Sequence, residues 1–395
     1  MMLEDRYKNS PVVLQTGFRI FFLGAAVYAV VSMLVWKMFY VMGHNIFVTM
    51  PLTVWHGHEM IFGFTMAVVA GFLLTAVMNW TGLPTLHGFP LLVLFALWVL
   101  GRMFAFMPSS VPTWPLIVTN VAFMIFLSVA VMRPIIKVKQ WKQSAVFSKI
   151  LLILISATVF YIALLNSDLM TERKALRFAV YMIISLIFTI GRRVIPFFIE
   201  RGVGYPVELR NSRLLDMISL VCLVVFSVLD IFWPQPWVIA GLCVILAISH
   251  TLRLAGWHTP GVWKKPLLWV LFIGYIFLIV GFVLKIFSIL GHRPDDAALH
   301  AWTAGGIGIF TLGMMARVAW GHTGRMIAQP PRSLSFMFGL MIAGAVVRTF
   351  FPLFAEGQYI MWIAVSQVLW ILAFGLYLIR YFPVLTSPRP DGKWG

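Results

Sequence analysis

From end to end the chain repeats one pattern: an apolar run of about 20 residues, a short polar break, then another run. Twelve runs can be drawn, at 18–39, 58–79, 89–107, 114–132, 146–166, 175–198, 213–232, 237–254, 266–290, 299–319, 334–354 and 359–382. Each is long enough to cross the hydrocarbon core of a bilayer, where every backbone N–H and C=O must be satisfied within the segment, so each is expected to be helical. Charged residues are 11% of the chain and hydrophobic ones 61%, against about 25% charged in a soluble domain. A water-soluble fold could not bury that much apolar surface. The runs are continuous rather than alternating, which excludes a membrane β-barrel. The expected fold is therefore an all-α polytopic membrane protein with about twelve transmembrane helices, a single transmembrane domain over residues 1–395.

A net charge of +17 would suggest a nucleic-acid partner if the basic residues formed one soluble patch. They fall between the apolar runs instead, so they read as orientation signals and no nucleic acid is expected. The break after the fourth run holds Arg133, Lys137, Lys139, Lys142 and Lys149 without an acid. The break after the sixth holds Arg192, Arg193, Arg201, Arg210 and Arg213. Placing these inside leaves Arg173, Lys174 and Arg293 outside, together with Asp168, Glu172, Asp230, Asp295, Asp296 and Glu356. Both termini are then cytoplasmic, as an even number of spans requires. The start, with Glu4, Asp5, Arg6 and Lys8 before a long run, reads as a retained first span rather than a cleaved leader. Cys222 and Cys243 both lie in apolar runs, so neither a disulfide framework nor a thiolate site is indicated. Without Cys-x-x-Cys-His, covalent c-type haem is excluded.

Internal similarity is the next signal. His58 is followed by Gly63, Gly71, Thr81 and Gly82; His300 is followed at the same offsets by Gly305, Gly313, Thr323 and Gly324. Arg102-Met103-Phe104 in the third run is echoed by Arg348-Thr349-Phe350 in the eleventh, and Gly191 stands between Gly71 and Gly313 at similar spacing. Phe178 takes the histidine position of that middle member. Three four-helix units are expected, at 1–140, 141–260 and 261–395.

The histidines form two groups by expected depth: His44, His56, His58, His292 and His300 near the outer surface, and His87, His250, His258 and His322 near the inner one. Two residues along a helix turn a side chain by about 200°, so His56 and His58 face different neighbours unless the first turn is unwound. His58 and His300, at equal depth, suit the two axial positions of one haem iron. His56 is left for a second metal centre, with capping or a bond to Glu59 as the alternative. Arg102 and Arg348 suit haem propionates, because a guanidinium fork fits a carboxylate bidentately; snorkelling to the surface is the alternative. Glu59, the only acid well inside a run, is expected to support an imidazole N–H or carry a proton. An inner site would be built from His322 with His250 or His87, since His300 and His322 stand about 33 Å apart on an ideal helix. Interfacial anchoring explains the inner residues equally well.

Several segments resemble one known family. They are Gly17-Phe18-Arg19, the run Trp55-His56-Gly57-His58-Glu59-Met60 continuing into Phe62-Gly63-Phe64, Ala70 to Ala76 with Asn79-Trp80-Thr81-Gly82, Gly191-Arg192-Arg193 with Ile195-Pro196-Phe197-Phe198, and Arg317 to Arg325. They resemble the NnrS family of bacterial nitric-oxide-response membrane proteins. The resemblance implies twelve spans in a bacterial inner membrane, haem b and copper as cofactors, nitric oxide as ligand or substrate, and protection against nitrosative stress. A nitric oxide reductase-like oxidoreductase would also need an electron donor, a quinol or a periplasmic carrier, besides the surrounding lipid. The layout is also similar to haem–copper oxidases and nitric oxide reductases, where outer histidines on helices two and ten hold haem. Here the His-x-His lies on span two, and spans six and seven carry no histidine. Two rival functions follow from the same residues: a secondary transporter of a metal, haem or small anion, and a non-enzymatic nitric-oxide or haem-binding protein.

Overall fold

The computed structural model describes residues 10–44, 50–108, 110–292, 294–354 and 356–395, and contains no strand among them. Glu4, Asp5, Arg6, Lys8 and Arg293 lie outside the described residues, as does the Glu356 side chain. A helix stands at each expected position: α1 (Gly17–Tyr40), α2 (Leu52–Thr81), α3 (Gly88–Phe104), α4 (Trp114–Lys137), α5 (Ser144–Leu165), α6 (Leu169–Gly202), α7 (Arg213–Phe232), α8 (Pro236–Gly256), α9 (Pro266–Leu290), α10 (residues 296–322), α11 (Ser333–Phe354) and α12 (Tyr359–Thr386). Among the described residues, ten are long and apolar enough to cross a membrane; α3 and α10 are the other two.

Local chemistry sets several of the ends. Pro236 and Pro266 open α8 and α9, where a missing N–H costs nothing. Gly82 closes α2 at φ +68°, with its N–H returning to the Met78 carbonyl; a side chain at that left-handed position would be strained. The helices are two-faced without being amphipathic. Along α4, Thr119, Asn120, Phe123, Met124 and Leu127 are buried, whereas Val118, Ile125 and Val129 are exposed. Exposed aliphatic side chains are what a helix presents to lipid.

The chain divides into two compact units. The first comprises Met1–Ala179, Met315–Met326 and Phe374–Gly395; the second comprises Val180–Met314 and Ile327–Ala373. In the first, α1 packs along α2, α3 along α4, and α4 also touches α2 and α5. In the second, α8 packs between α7 and α9, and α9 and α11 both lie against the early part of α10.

Helices α2 and α10 are not α-helical throughout. Each contains a π-helical stretch, Glu59–Thr65 in α2 and Ala301–Gly308 in α10. Both stretches begin on the residue after a histidine, His58 and His300, and both contain the glycine five places on, Gly63 and Gly305. Such stretches are rare and collect at functional sites. Further along, Gly71 lies against Phe22 and Gly313 against Val270, so that a methyl group at either would come within 2.8 Å of the neighbour. Gly191 has no contact of that kind; its nearest neighbour would be 3.4 Å away, and α6 carries no π stretch.

Candidate functional site

The densest polar cluster lies inside the first unit and draws on five helices. Its centre is the Glu59 carboxylate, fully buried at the start of the π stretch of α2. Oε1 meets His58 Nδ1 at 2.5 Å. Oε2 accepts from Arg102 Nη1 of α3 at 2.6 Å and from the Tyr28 hydroxyl of α1. The other guanidinium arm, Nη2, donates to Asn120 Oδ1 of α4. His58 Nε2 meets the Tyr161 hydroxyl of α5 at 2.8 Å.

Gly63 makes this convergence sterically possible. A methyl group on it would come within 2.5 Å of Arg102 Nη1 and 3.0 Å of Glu59 Oε2. The π turn, Glu59–Thr65, coincides with this convergence. Thr65 reinforces the wide turn by donating its hydroxyl to the Met60 carbonyl at 2.7 Å. Trp98 Nε1 donates to the Gly63 carbonyl at 2.9 Å, tying α3 to the same turn.

Chemistry assigns the protons. An ionised carboxylate only accepts, so His58 donates through Nδ1, and Nε2 then accepts from Tyr161. The carboxylate receives three donors and is paired with one guanidinium, so charge is balanced in a site with no solvent contact. Arg102, expected at a propionate or snorkelling outward, is buried and holds Glu59.

His56, on the other side of α2, lies flat on Trp36 of α1, with ring centroids 4.5 Å apart and planes 7° from parallel. His322 sits near the far end of the first unit, its ring 5.9 Å from Phe18 and its carbonyl accepting from Arg389 at 2.9 Å. Arg19, fully buried, donates to the carbonyls of Leu385 and Ser387 and so caps α12.

The second unit holds the remaining expected residues. His250 is fully buried and stacked on Phe188 at 3.6 Å. Its Nδ1 faces the Tyr275 hydroxyl at 2.7 Å and Arg253 Nη1 at 3.0 Å. Arginine only donates, so Nδ1 accepts and Nε2 carries the proton. That Nε2–H has no hydrogen-bond partner among the described residues. Arg253 in turn joins Asp216, which also holds Arg192. His300 is half-buried on α10, with Nδ1 2.7 Å from the Asp296 carbonyl. A carbonyl only accepts, so His300 donates through Nδ1. Arg348 is half-buried on α11.

A second ionic group lies where α9 ends: Lys285 Nζ is 2.7 Å from both Asp230 Oδ1 and Asp295 Oδ2, and the Tyr181 hydroxyl donates to Asp230 Oδ2 at 2.5 Å. A cleft of about 490 Å³ lined by Trp237, Lys285, His292 and Asp295 opens beside it.

Comparison with known protein families matches residues 12–389 to the NnrS protein family. The chain belongs to the NnrS family. No curated protein matches it. Membership makes this a nitric-oxide-response membrane protein, and the matched span includes every expected site residue from His56 to Arg348.

In this NnrS protein the structure joins His58, Glu59 and Arg102 into one cluster and sets His56 apart from them on Trp36. His250 and His322 belong to separate polar groups. Sequence reading missed Tyr28, Asn120 and Tyr161, and gave no role to Lys285 or Arg253. A signal existed for two of them: Lys285 and Asn120 interrupt otherwise apolar runs, and a polar residue at membrane depth needs a buried partner.

Proposed function

We propose that this NnrS protein binds nitric oxide in the membrane and reduces it to nitrous oxide, with His58 and Glu59 handling the protons. The reaction takes two nitric oxide molecules, two electrons and two protons to nitrous oxide and water. The observation that carries this reading is the buried Tyr161–His58–Glu59 chain, completed by Tyr28 and Arg102. Proton-consuming chemistry in a low dielectric requires an acid–base pair built into the interior. Glu59 fixes the Nδ1–H tautomer, Arg102 keeps the carboxylate ionised, and Nε2 is left as the basic nitrogen facing the Tyr161 hydroxyl. A quinol or a periplasmic carrier supplies the electrons. The loop charges support an inner-membrane position with both termini cytoplasmic.

Haem b is the cofactor this reading requires; bound, it supplies an iron that takes nitric oxide and passes electrons. His300 is its candidate ligand, because the Asp296 carbonyl takes the Nδ1–H, the hydrogen bond that orients a ligating ring. His58 does not fit in this packing: Tyr161 occupies Nε2, and Phe160 and Phe62 wall the ring. His250 does not fit either, since its Nε2 carries the proton. For copper, no three His, Cys, Asp or Glu side chains converge among the described residues.

Anaerobic assay of the reduced, purified protein tests the proposal, read together with a pyridine haemochrome spectrum. Nitrous oxide formed by the wild type and lost in Glu59→Gln at unchanged haem content is the expected result. Nitric oxide binding without turnover would make the protein a binder. A colourless protein would leave the transporter reading.

A further inference from the structure

Helix α9 lies on α10 as α1 lies on α2. In the first pair Gly63 faces Tyr28, Gly71 faces Phe22, and Ser32 meets Met60. In the second Gly305 faces Phe277, Gly313 faces Leu271, and Gly281 meets Trp302. Adding 242 to each α2 number and 249 to each α1 number turns the first set into the second. The same 249 carries Gly17, which opens α1, onto Pro266, which opens α9. The next two helices behave alike. Gly101 lies against Asn120, while Gly344 faces Leu369 and Phe351 faces Trp362. That antiparallel register sets Val347 opposite Ser366, each 246 beyond Gly101 and Asn120. Arg348 stands the same 246 beyond Arg102.

Antiparallel apolar helices can share a register by chance. A histidine followed at once by a π stretch, with close-packed glycines at the same two later positions, is not a general property of such helices, since π segments make up well under about 1% of residues.

We infer that α9–α12 are a second copy of α1–α4, in which Arg348 holds the place of Arg102 at a carboxylate-accepting position and the acid itself has been replaced by Ala301. Two other members changed with it, Phe277 standing for Tyr28 and Ser366 for Asn120, while His300 keeps the place of His58. The copy keeps the cation and the histidine and has lost the phenol and the amide of the first. This stands independently of nitric oxide chemistry, because it concerns only how each copy is built.

Supplying the acid tests it. Ala301→Glu and Ala301→Gln are each made alone and combined with Arg348→Gln, and thermal unfolding of the full chain is followed in detergent. Glu at 301 should leave the melting temperature within about 2 °C of wild type while Arg348 is present, and lower it by about 4–6 °C relative to Arg348→Gln when it is absent. Gln at 301 should show no such dependence on residue 348. Equal losses for Glu and Gln whatever stands at 348 would overturn the inference. So would failure of both single variants to fold, since position 301 would then reject the side chain its counterpart carries.

Discussion

Replacing Arg102 by leucine removes, among the described residues, the one guanidinium paired with Glu59. The two groups meet at 2.6 Å with side-chain exposures of 5% and 0%, so solvent screens the pair little. Coulomb attraction between unit charges at about 4 Å is about 4 kcal/mol at an effective dielectric of 20. Breaking a buried pair from one side costs about 3–5 kcal/mol by mutational experience. Tyr28 and His58 still donate to the carboxylate afterwards, which places the expected loss near about 3 kcal/mol. For a chain of this size that is a fall in melting temperature of about 4 °C. The double variant Arg102→Leu/Glu59→Leu should recover most of it, because two apolar side chains leave no buried charge behind. Differential scanning fluorimetry in detergent reads both. If Arg102→Leu melts within about 2 °C of wild type, or the double variant is as unstable as the single, the pair is not the buried neutral unit described here.

Gly63→Ala should push Arg102 off Glu59 and cost about 1–3 kcal/mol, read as a lower melting temperature, because its methyl group would lie 2.5 Å from Nη1. Tyr161→Phe should leave His58 Nε2 buried without a donor, at about 1–3 kcal/mol; nitrogen-15 NMR of labelled histidine should show that one ring nitrogen shifting. Lys285→Met should strand Asp230, whose side chain is 4% exposed, and cost about 3–5 kcal/mol, most of which Asp230→Asn should return. At the C-terminal end, the Arg389 fork holds the Asp391 carboxyl at about 2, below its ordinary 3.8. A depressed acid stabilises the folded arrangement above its ordinary value and loses that contribution as pH falls from 3.8 through about 2. Cleavage of residues 387–395 by an acid-active protease should rise across that window, and Asp391→Asn should be cleaved equally at every pH.

Hydropathy alone placed the helices, because the bilayer imposes a length and leaves helix as the solution. The ends were less legible. Helix α2 begins at Leu52, six residues before the run drawn at 58, because Pro51 and the apolar Val54 and Trp55 start a helix that the polar pair His56 and His58 only seems to delay. Glu59 and Arg102 could be singled out as charges at membrane depth, but not as partners. Their pairing depends on how α2 and α3 cross, which no local pattern records. Tyr28 and Tyr161 carried still less signal, since a phenol in an apolar run packs as well as it donates. The π stretches had none: they come from tertiary packing around Gly63 and Gly305, not from the propensity of Glu59–Thr65 or Ala301–Gly308.

One residue separates the behaviour of the two histidines that precede those stretches. Both rings donate through Nδ1, His58 to a carboxylate and His300 to the Asp296 carbonyl one turn back. After His58 comes Glu59, which draws Tyr28 and Arg102 around the ring and leaves Nε2 to Tyr161. After His300 comes Ala301, which carries no acid to stand where Glu59 stands, and the ring is half-buried. An imidazole enclosed by an acid, a cation and two phenols is arranged to move a proton. His300, with the Asp296 carbonyl on Nδ1, is the ring that the proposed function gives to ligation. The side chain that follows each histidine therefore sets how its ring is enclosed: Glu59 gathers a buried cluster around His58, and Ala301 brings no acid to His300.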